Sequence, residues 1–339
     1  MLAVIRADAS TSIGSGHVMR CLTLAQGLCK EQNAKVVFIM RRLSGNLIDV
    51  VQKQGFDVLV LSPAGQDYKL NGYGLWLTVP MEVDAQQTID LLQGYLQEHS
   101  YEVVDRLIVD SYALDERWEQ ALRPYCREIM VIDDLANRRH DCHILLDQNF
   151  YLNKDVRYAG LVPEHCKMLL GPEHALLREE FYEAKKHLRK RDGNIKNILV
   201  FYGGSDLTNE TEKAIKALVQ LHDEGYSFTA DIITGVSNSR REKIEKICSK
   251  YHFFHYYCQV SNMAEFMNKA DLMLGAGGST TWERLYMELP ALVTAVAENQ
   301  IQGCRDCSQA GIIEYLGIND DVRVDTILEA LHKKLDKHN

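Results

Sequence analysis

The chain is 339 residues long, yet it holds no apolar run close to the ~20 residues that a membrane-spanning helix needs, so no membrane partner is expected. It has no surplus of positive charge either. Its 38 Lys and Arg stand against 47 Asp and Glu, a net charge of −9, which argues against nucleic acid as the main partner. Any bound anion must then be held locally, by backbone amides and a few basic side chains. Met1 leads straight into an apolar run, with no basic segment and no small-residue cleavage site. No signal peptide is therefore expected, and the protein is placed in the cytoplasm. The nine cysteines are odd in number, scattered, and mostly set in apolar runs, which suits reduced core residues rather than a disulfide framework.

Metal signatures are missing as well. Asp133 and Asp134 are adjacent, but the D-x-D spacing of many metal-dependent sugar transferases is absent. His140, Cys142 and His143 lack a second cluster at zinc-site spacing, and Cys304-x-x-Cys307 stands alone in a helical context. Neither a metal nor a cofactor is expected. No repeat or low-complexity tract interrupts the sequence.

What is present is an ordinary globular composition, 46% hydrophobic and 25% charged. The length suits two domains of roughly 150 residues each. Short β-like runs alternate with helical patterns. Strands are expected at Leu2–Arg6, Lys35–Met40, Asp57–Leu61, Arg106–Asp110, Glu128–Ile132, His143–Leu146 and Met168–Leu170, with helices near 17–31, 45–54, 84–98 and 114–123. That alternation is the signature of βαβ units on a parallel sheet covered on both faces. From Glu180 to Asn194 the composition turns charged and ends in Asp-Gly-Asn, as an exposed connector would. A second series follows at Ile195–Phe201, Phe228–Ile233, Phe253–Tyr257, Leu272–Leu274, Ala291–Val296 and Ile312–Tyr315, with a last helix from about 324 to 336. The expected architecture is α/β, with two doubly wound Rossmann-like domains, residues 1–183 and 194–339, and an interdomain cleft. Ligands then belong at the C-terminal ends of the strands.

Those ends carry distinctive residues. After the first strand come Arg6, Asp8 and the turn Gly14-Ser15-Gly16, small enough for another molecule to approach the backbone closely. Val18, Cys21, Leu22, Ala25, Leu28 and Cys29 recur at helical spacing, which sets His17 in the first turn of an amphipathic helix. The field of a helix start suits a general base there rather than a cation. The third glycine of G-x-G-x-x-G is Met19 here, and no Gly-Lys-Ser/Thr follows, so the turn is neither a dinucleotide fingerprint nor a P-loop. On local sequence, a plain tight turn and a catalytic turn remain equally open. Asp110-Ser111-Tyr112 after the fourth strand supplies either a helix cap with a partly buried tyrosine, or an acid and a tyrosine that reach the same place as His17.

In the second half, Gly203-Gly204-Ser205-Asp206 and Gly275-Ala276-Gly277-Gly278-Ser279-Thr280-Thr281 are small-residue turns, the latter opening the helix Trp282–Met287. A glycine turn into a helix start holds a diphosphate without many cationic side chains. Glu283 either closes a capping box with Thr280 or accepts from both hydroxyls of a ribose. Asn299 and Gln300, after Ala291–Val296, either cap a helix or orient a water and a sugar.

Together these residues resemble a known family. Arg6-x-Asp8-x4-Ile13-Gly14-x-Gly16-His17-x2-Arg20 is similar to the N-terminal motif of the UDP-2,4-diacetamido-2,4,6-trideoxy-β-L-altropyranose hydrolases of pseudaminic acid biosynthesis. So are Asp110-Ser-Tyr112-Ala-Leu114-Asp115, IDDLANRRHDCHILLDQN from Ile132, LLGPEHALLREEF from Leu169, FYGGSD from Phe201, GAGGSTTWE from Gly275 and AENQ from Ala297. The resemblance spans nearly the whole chain, with the motifs in the expected order. More distantly, the two-domain plan resembles the glycosyltransferase-B fold, including the peptidoglycan N-acetylglucosaminyltransferase.

The resemblance implies a metal-independent hydrolase that releases UDP from its UDP-sugar substrate with inversion at the anomeric carbon. It sets the family's catalytic histidine on His17, its active-site tyrosine on Tyr112 and its active-site asparagine on Asn299. Substrate contacts are expected from Arg6, Asp8, Gly14, Gly16 and Arg20 on the sugar side. On the UDP side they are expected from Gly203, Gly204, Ser205, Gly277, Gly278, Ser279, Thr280, Glu283 and Gln300. Glu298 takes no role. The last helix is set on the N-terminal domain by fold analogy alone, and a monomer or weak oligomer is expected. The chemistry agrees with this. UDP leaves readily once its developing charge is stabilised, which a helix start does without a general acid or a metal. Water then attacks an oxocarbenium-like centre from the opposite face, and a base taking its proton is worth ~10²–10⁴-fold in rate. Two other readings stand beside this one: a transferase of the same fold that needs an acceptor hydroxyl, and a catalytically silent nucleotide-sugar sensor.

Overall fold

The computed structural model describes residues 1–336. The chain divides into two compact units, one from Met1 to Leu176 and one from Leu177 onward. The first is built on a seven-stranded sheet of β1 (Leu2–Ala7), β2 (Lys35–Arg41), β3 (Asp57–Leu61), β4 (Val104–Asp110), β5 (Cys126–Ile132), β6 (Ile144–Asp147) and β7 (Lys167–Leu170). Their spatial order is β3-β2-β1-β4-β5-β6-β7 and every pairing is parallel. Because helices cover both faces, β1 is buried along its whole length. Its alternate residues enter different cores. Leu2 and Val4 pack with Leu92 of the helix Met81–Glu98, while Ala3, Ile5 and Ala7 pack with Val18, Cys21 and Ala25 of the helix Gly16–Gln32.

The strand order reverses between β1 and β4, which are in register from Ala3 opposite Arg106 to Ala7 opposite Asp110. Chain leaving those two strand ends diverges to opposite faces and opens a crevice between them. His17 follows one of the strands and Tyr112 the other.

The second unit holds β8 (Asn197–Phe201), β9 (Thr229–Thr234), β10 (Phe254–Cys258), β11 (Leu272–Ala276), β12 (Ala291–Ala295) and β13 (Glu314–Ile318), all parallel, in the order β10-β9-β8-β11-β12-β13. Its reversal falls between β8 and β11, the strands that precede the two glycine turns. All thirteen strands lie within three residues of their expected ends.

The charged segment after Glu180 is firmly held. The helix Glu179–Lys185 forms there, and beyond it Arg189 donates to the carbonyls of Asn268 (2.6 Å) and Ala270 (2.8 Å). Arg191 donates to those of Met267 (2.7 Å) and Met287 (2.9 Å). What reads as a solvated connector is thus a strap on the second unit, its basic residues spent on helix and loop carbonyls left without amide partners. The last helix, Val324–Leu335, buries Ile327, Ala330 and Leu331 in the core of the second unit.

Candidate active site

In the first unit the crevice brings His17, Arg20 and Tyr112 together with two carboxylates. Asp110, the last residue of β4, is fully buried and accepts from His17 Nδ1 (2.6 Å), Arg20 Nε (2.6 Å) and Arg20 Nη2 (2.6 Å). Burial would raise the pKa of its carboxyl, but Arg20 and His17 outweigh that and hold it well below the usual carboxylate range. Asp110 is therefore an acceptor only. In a neutral His17 ring, the bond to an acceptor-only Asp110 puts the proton on Nδ1 and leaves the lone pair on Nε2. This is the base–orienter pair that acid–base catalysis requires.

Arg20 reaches on to Asp134 Oδ2 (3.1 Å), and the Tyr112 hydroxyl hydrogen-bonds the same carboxylate. Burial, and then the Asp134 charge, push the Tyr112 pKa far up, so its phenol stays protonated. Asp134 is here a second anchor for Arg20 and Tyr112. Three aromatic rings wall the histidine. Tyr112 stands edge-on to it with centroids 4.7 Å apart, and Trp76 lies at 5.9 Å. Trp76 stacks on Tyr112 at 5.4 Å, and Tyr73 meets both edge-on at 4.8 and 5.2 Å. Tyr73 and Trp76 come from the 3₁₀ turn Gly72–Trp76, which has no periodicity to reveal it in the sequence. Its only signal is the aromatic-glycine run itself.

Gly14, Ser15 and Gly16 are exposed beside this group. Gly14 has φ of 82°, a left-handed value that favours glycine, and its N–H donates to Ser10 (2.8 Å). A Cβ at Gly14 or Gly16 would meet nothing within 4 Å. Packing inside the chain does not demand a bare backbone at Gly16, so the open space there is available to a ligand.

Arg6 and Asp8 belong elsewhere. Arg6 is fully buried, with Nη2 on Asp84 Oδ2 (2.8 Å) and Nη1 2.7 Å from Asp8. Asp8 also accepts from the Arg41 amide (2.7 Å), and Asp84 takes Arg41 Nη2 (2.8 Å) and Trp118 Nε1 (3.0 Å). These charges brace β1 and β2 against two helices and leave Arg6 no face for a sugar. The expectation that Arg6 and Asp8 contact substrate is thereby corrected, because both are spent inside the fold.

In the second unit, the turn Tyr202–Asn209 follows β8, and Asp206 caps the helix Glu210–Asp223 by accepting from Glu210 N and Thr211 N (2.9 Å each). Gly203 has φ of 93°, and a Cβ at Gly235 would sit 2.5 Å from the Gly204 carbonyl, so two glycine backbones touch here. Ser205 lies beside them on the same turn. Gly277 is packed harder still, since a Cβ would fall 2.2 Å from Cys304 Sγ. The Gln300 side chain lies under Gly277 and Gly278, its Oε1 accepting from Val296 N (3.0 Å).

The helix Thr280–Tyr286 has Ser279 at its N-cap, one residue earlier than a Thr280–Glu283 capping box requires. Glu283 instead takes Arg178 Nε (3.0 Å), and Arg178 also pairs with Glu180 (2.5 Å). Burial raises the Glu283 pKa, with Arg178 opposing it. Asn299 is exposed in the first turn of the helix Glu298–Gln309. Arg178 falls in the segment from Leu169 quoted above but carries no role there, and the sequence offers no hint of the buried Arg284, because a lone arginine carries no pattern.

Two all-parallel, doubly wound units with their ligand-facing turns at the reversal points define a fold of the glycosyltransferase-B type. Comparison with known proteins agrees. MurG of Acinetobacter baumannii superposes with a TM-score of 0.62 at 12% identity, covering 99% of this chain and 94% of that one. In sequence, the chain resembles the UDP-2,4-diacetamido-2,4,6-trideoxy-beta-L-altropyranose hydrolase of Campylobacter jejuni, at 25% identity over 300 residues, 88% of this chain and 93% of that protein. It is also 26% identical over 314 residues to the uncharacterized protein MJ1062 of Methanocaldococcus jannaschii, 91% of this chain but only 57% of that longer relative. No protein-family model matches the chain.

Proposed function

We propose that the protein hydrolyses a UDP-linked 2,4-diacetamido-2,4,6-trideoxyhexose, of the β-L-altropyranose series, to the free sugar and UDP. One observation carries the reading: the His17–Asp110 pair at 2.6 Å, which fixes the ring tautomer beside an open glycine turn. In this reading the first unit handles the anomeric carbon and the second handles UDP.

A water oxygen bonds to C1 while the bond from C1 to the diphosphate oxygen breaks, its electron pair leaving with UDP. His17 Nε2 takes the water's proton, and Asp110 stabilises the cation that results. Attack opposite the leaving group inverts C1. Tyr112 orients the water or the ring, and Trp76 and Tyr73 offer faces to the apolar parts of a deoxy, N-acetylated sugar. Gly203 to Ser205 and Gly277 to Thr280 bring backbone N–H groups to the diphosphate. Likeness to the Campylobacter hydrolase supports this choice of sugar.

Incubation with that UDP-sugar in EDTA, without an acceptor, is expected to release UDP. His17→Ala and His17→Asn should each lower the rate by about 10²–10⁴-fold while leaving UDP affinity unchanged. Undiminished turnover in either variant removes His17 from the mechanism. UDP release that appears only with an added acceptor hydroxyl would make the enzyme a transferase.

A further inference from the structure

Arg284 sits on the helix Thr280–Tyr286, and only 1% of it is exposed. Its Nη1 donates to the carbonyl of Ala276 (3.1 Å) and its Nη2 to Thr281 Oγ1 (2.8 Å), so the guanidinium fastens both ends of the glycine turn. Nη1 also comes within 3.4 Å of where a Cβ on Gly275 would stand. Nε has no partner at all.

The groups that face this head are Cys304, Cys307, Tyr202 and Glu283. None of them is a countercharge in contact, because the Glu283 carboxylate is bonded to Arg178. Burial, uncompensated by any carboxylate at ion-pair distance among the described residues, lowers the Arg284 pKa to about 10. Near it, the buried hydroxyls of Tyr202 and Thr294 face each other.

A fully buried cation without a counter-ion is costly, and an apolar side chain of the same size would be tolerated at least as well. Such a charge is held in place when its partner is not part of the chain. We propose that Arg284 is a positioning residue for the diphosphate: it clamps the Ala276–Thr281 turn and supplies fixed positive charge beneath it, the bound diphosphate being its missing counter-ion. The proposal rests on the UDP-sugar reading above. It also explains how an acidic protein with few exposed basic residues at these turns attracts a dianion, since the cation lies under the backbone instead of beside the ligand.

The test is calorimetric titration of uridine, UMP and UDP into the unaltered protein, Arg284→Met and Arg284→Gln, with the melting temperature of each ligand-free protein. In both variants UDP affinity should fall by about tenfold or more, UMP affinity by less, and uridine affinity by no more than about twofold. Ligand-free Arg284→Met should melt no lower than the unaltered protein. A loss equal for all three ligands with a lowered melting temperature would mean that Arg284 is merely structural, and overturns the proposal. Should the Met variant fail to fold, Arg284→Gln still decides, because unchanged UDP affinity in it also overturns the proposal. A failure of the unaltered protein to bind UDP would be a different result, one that sinks the UDP-sugar reading and this inference with it.

Discussion

The two units treat buried charge in opposite ways. In the first, the carboxylates at the crevice are paired within the same chain: Asp110 accepts from Arg20 and from the His17 ring, and Asp133 holds Arg138 (2.7 Å). In the second, Arg284 is sealed beneath the glycine turn, its Nε without a hydrogen-bond partner and no carboxylate at ion-pair distance among the described residues. The first arrangement is finished without a ligand, which is what a preset base needs. The second is completed by whatever anion binds there. On the proposed reading, the same doubly wound framework serves positioning in one unit and reception in the other.

The strongest way to break this contrast is to remove the charge at the centre of the finished site. Asp110→Asn leaves Arg20 with one carboxylate and deprives the His17 ring of its orienter. Turnover should drop by about 10²-fold or more, and stability by ~3–5 kcal/mol, as when one member of a buried pair is lost. UDP affinity, assigned by the proposal to the other unit, should not change. Acid unfolding gives an independent check. Burial would raise the Asp110 pKa, but Arg20 and His17 depress it, so its stabilisation is present above the unfolded carboxylate value and lost as pH falls below that. Below about pH 4 the unaltered protein should therefore lose stability more steeply than the Asn variant. Equal slopes would refute the pairing.

A pair of glycine substitutions sharpens the comparison. Gly277→Ala drives a methyl onto Cys304 Sγ and should cost ~1–3 kcal/mol, with weakened UDP binding. Gly16→Ala meets no atom within 4 Å, so its melting curve should stay within about 0.5 kcal/mol of the unaltered protein. Its activity should still fall if a ligand uses that space. Activity unchanged in Gly16→Ala would make the first turn a plain structural turn after all. Next in size comes Trp76→Ala, expected to raise KM for the UDP-sugar by about three- to tenfold, with inhibition by UDP unaltered. Equal effects on both constants would remove the aromatic wall from the sugar side.

These cases also mark how far the sequence could be read. Its strands were legible because a parallel sheet covered on both faces needs continuous apolar runs, and β1 is such a run. The places of His17, Tyr112 and the glycine turns were legible because each follows directly on a readable strand. Arg6 and Asp8 misled for the same reason: position at a strand end does not reveal that Asp84, 78 residues on from Arg6, will claim the guanidinium. For Glu283 the register decides one of the two readings: the helix starts one residue early, so the capping box is not formed and the carboxylate meets Arg178. Arg284 and Trp76 were invisible. Each acts through neighbours that only tertiary packing supplies, and neither sits in a repeat or a spaced motif.

The smallest expected effect on turnover lies behind the finished site. Asp147, the last residue of β6, is buried, and burial followed by the nearby Asp134 charge raises its pKa to about 7. The Asn149 amide (3.0 Å), the Tyr158 hydroxyl (3.0 Å) and Arg157 oppose the rise without cancelling it. A folded-state pKa above the unfolded value means that the native state favours the protonated carboxyl. Its contribution is fully present below about pH 4 and is lost as pH rises through about 7. Asp147→Asn keeps an acceptor for Tyr158 and removes the titration. Denaturant unfolding of the two proteins should diverge by up to about 4 kcal/mol across that interval, the variant being flatter. Asp134 is the link to Arg20 and Tyr112, so turnover near pH 6 should change by no more than about twofold. A larger loss would mean that the first unit's charges are less self-contained than their pairing implies, and would erase the difference between the two units from the other side.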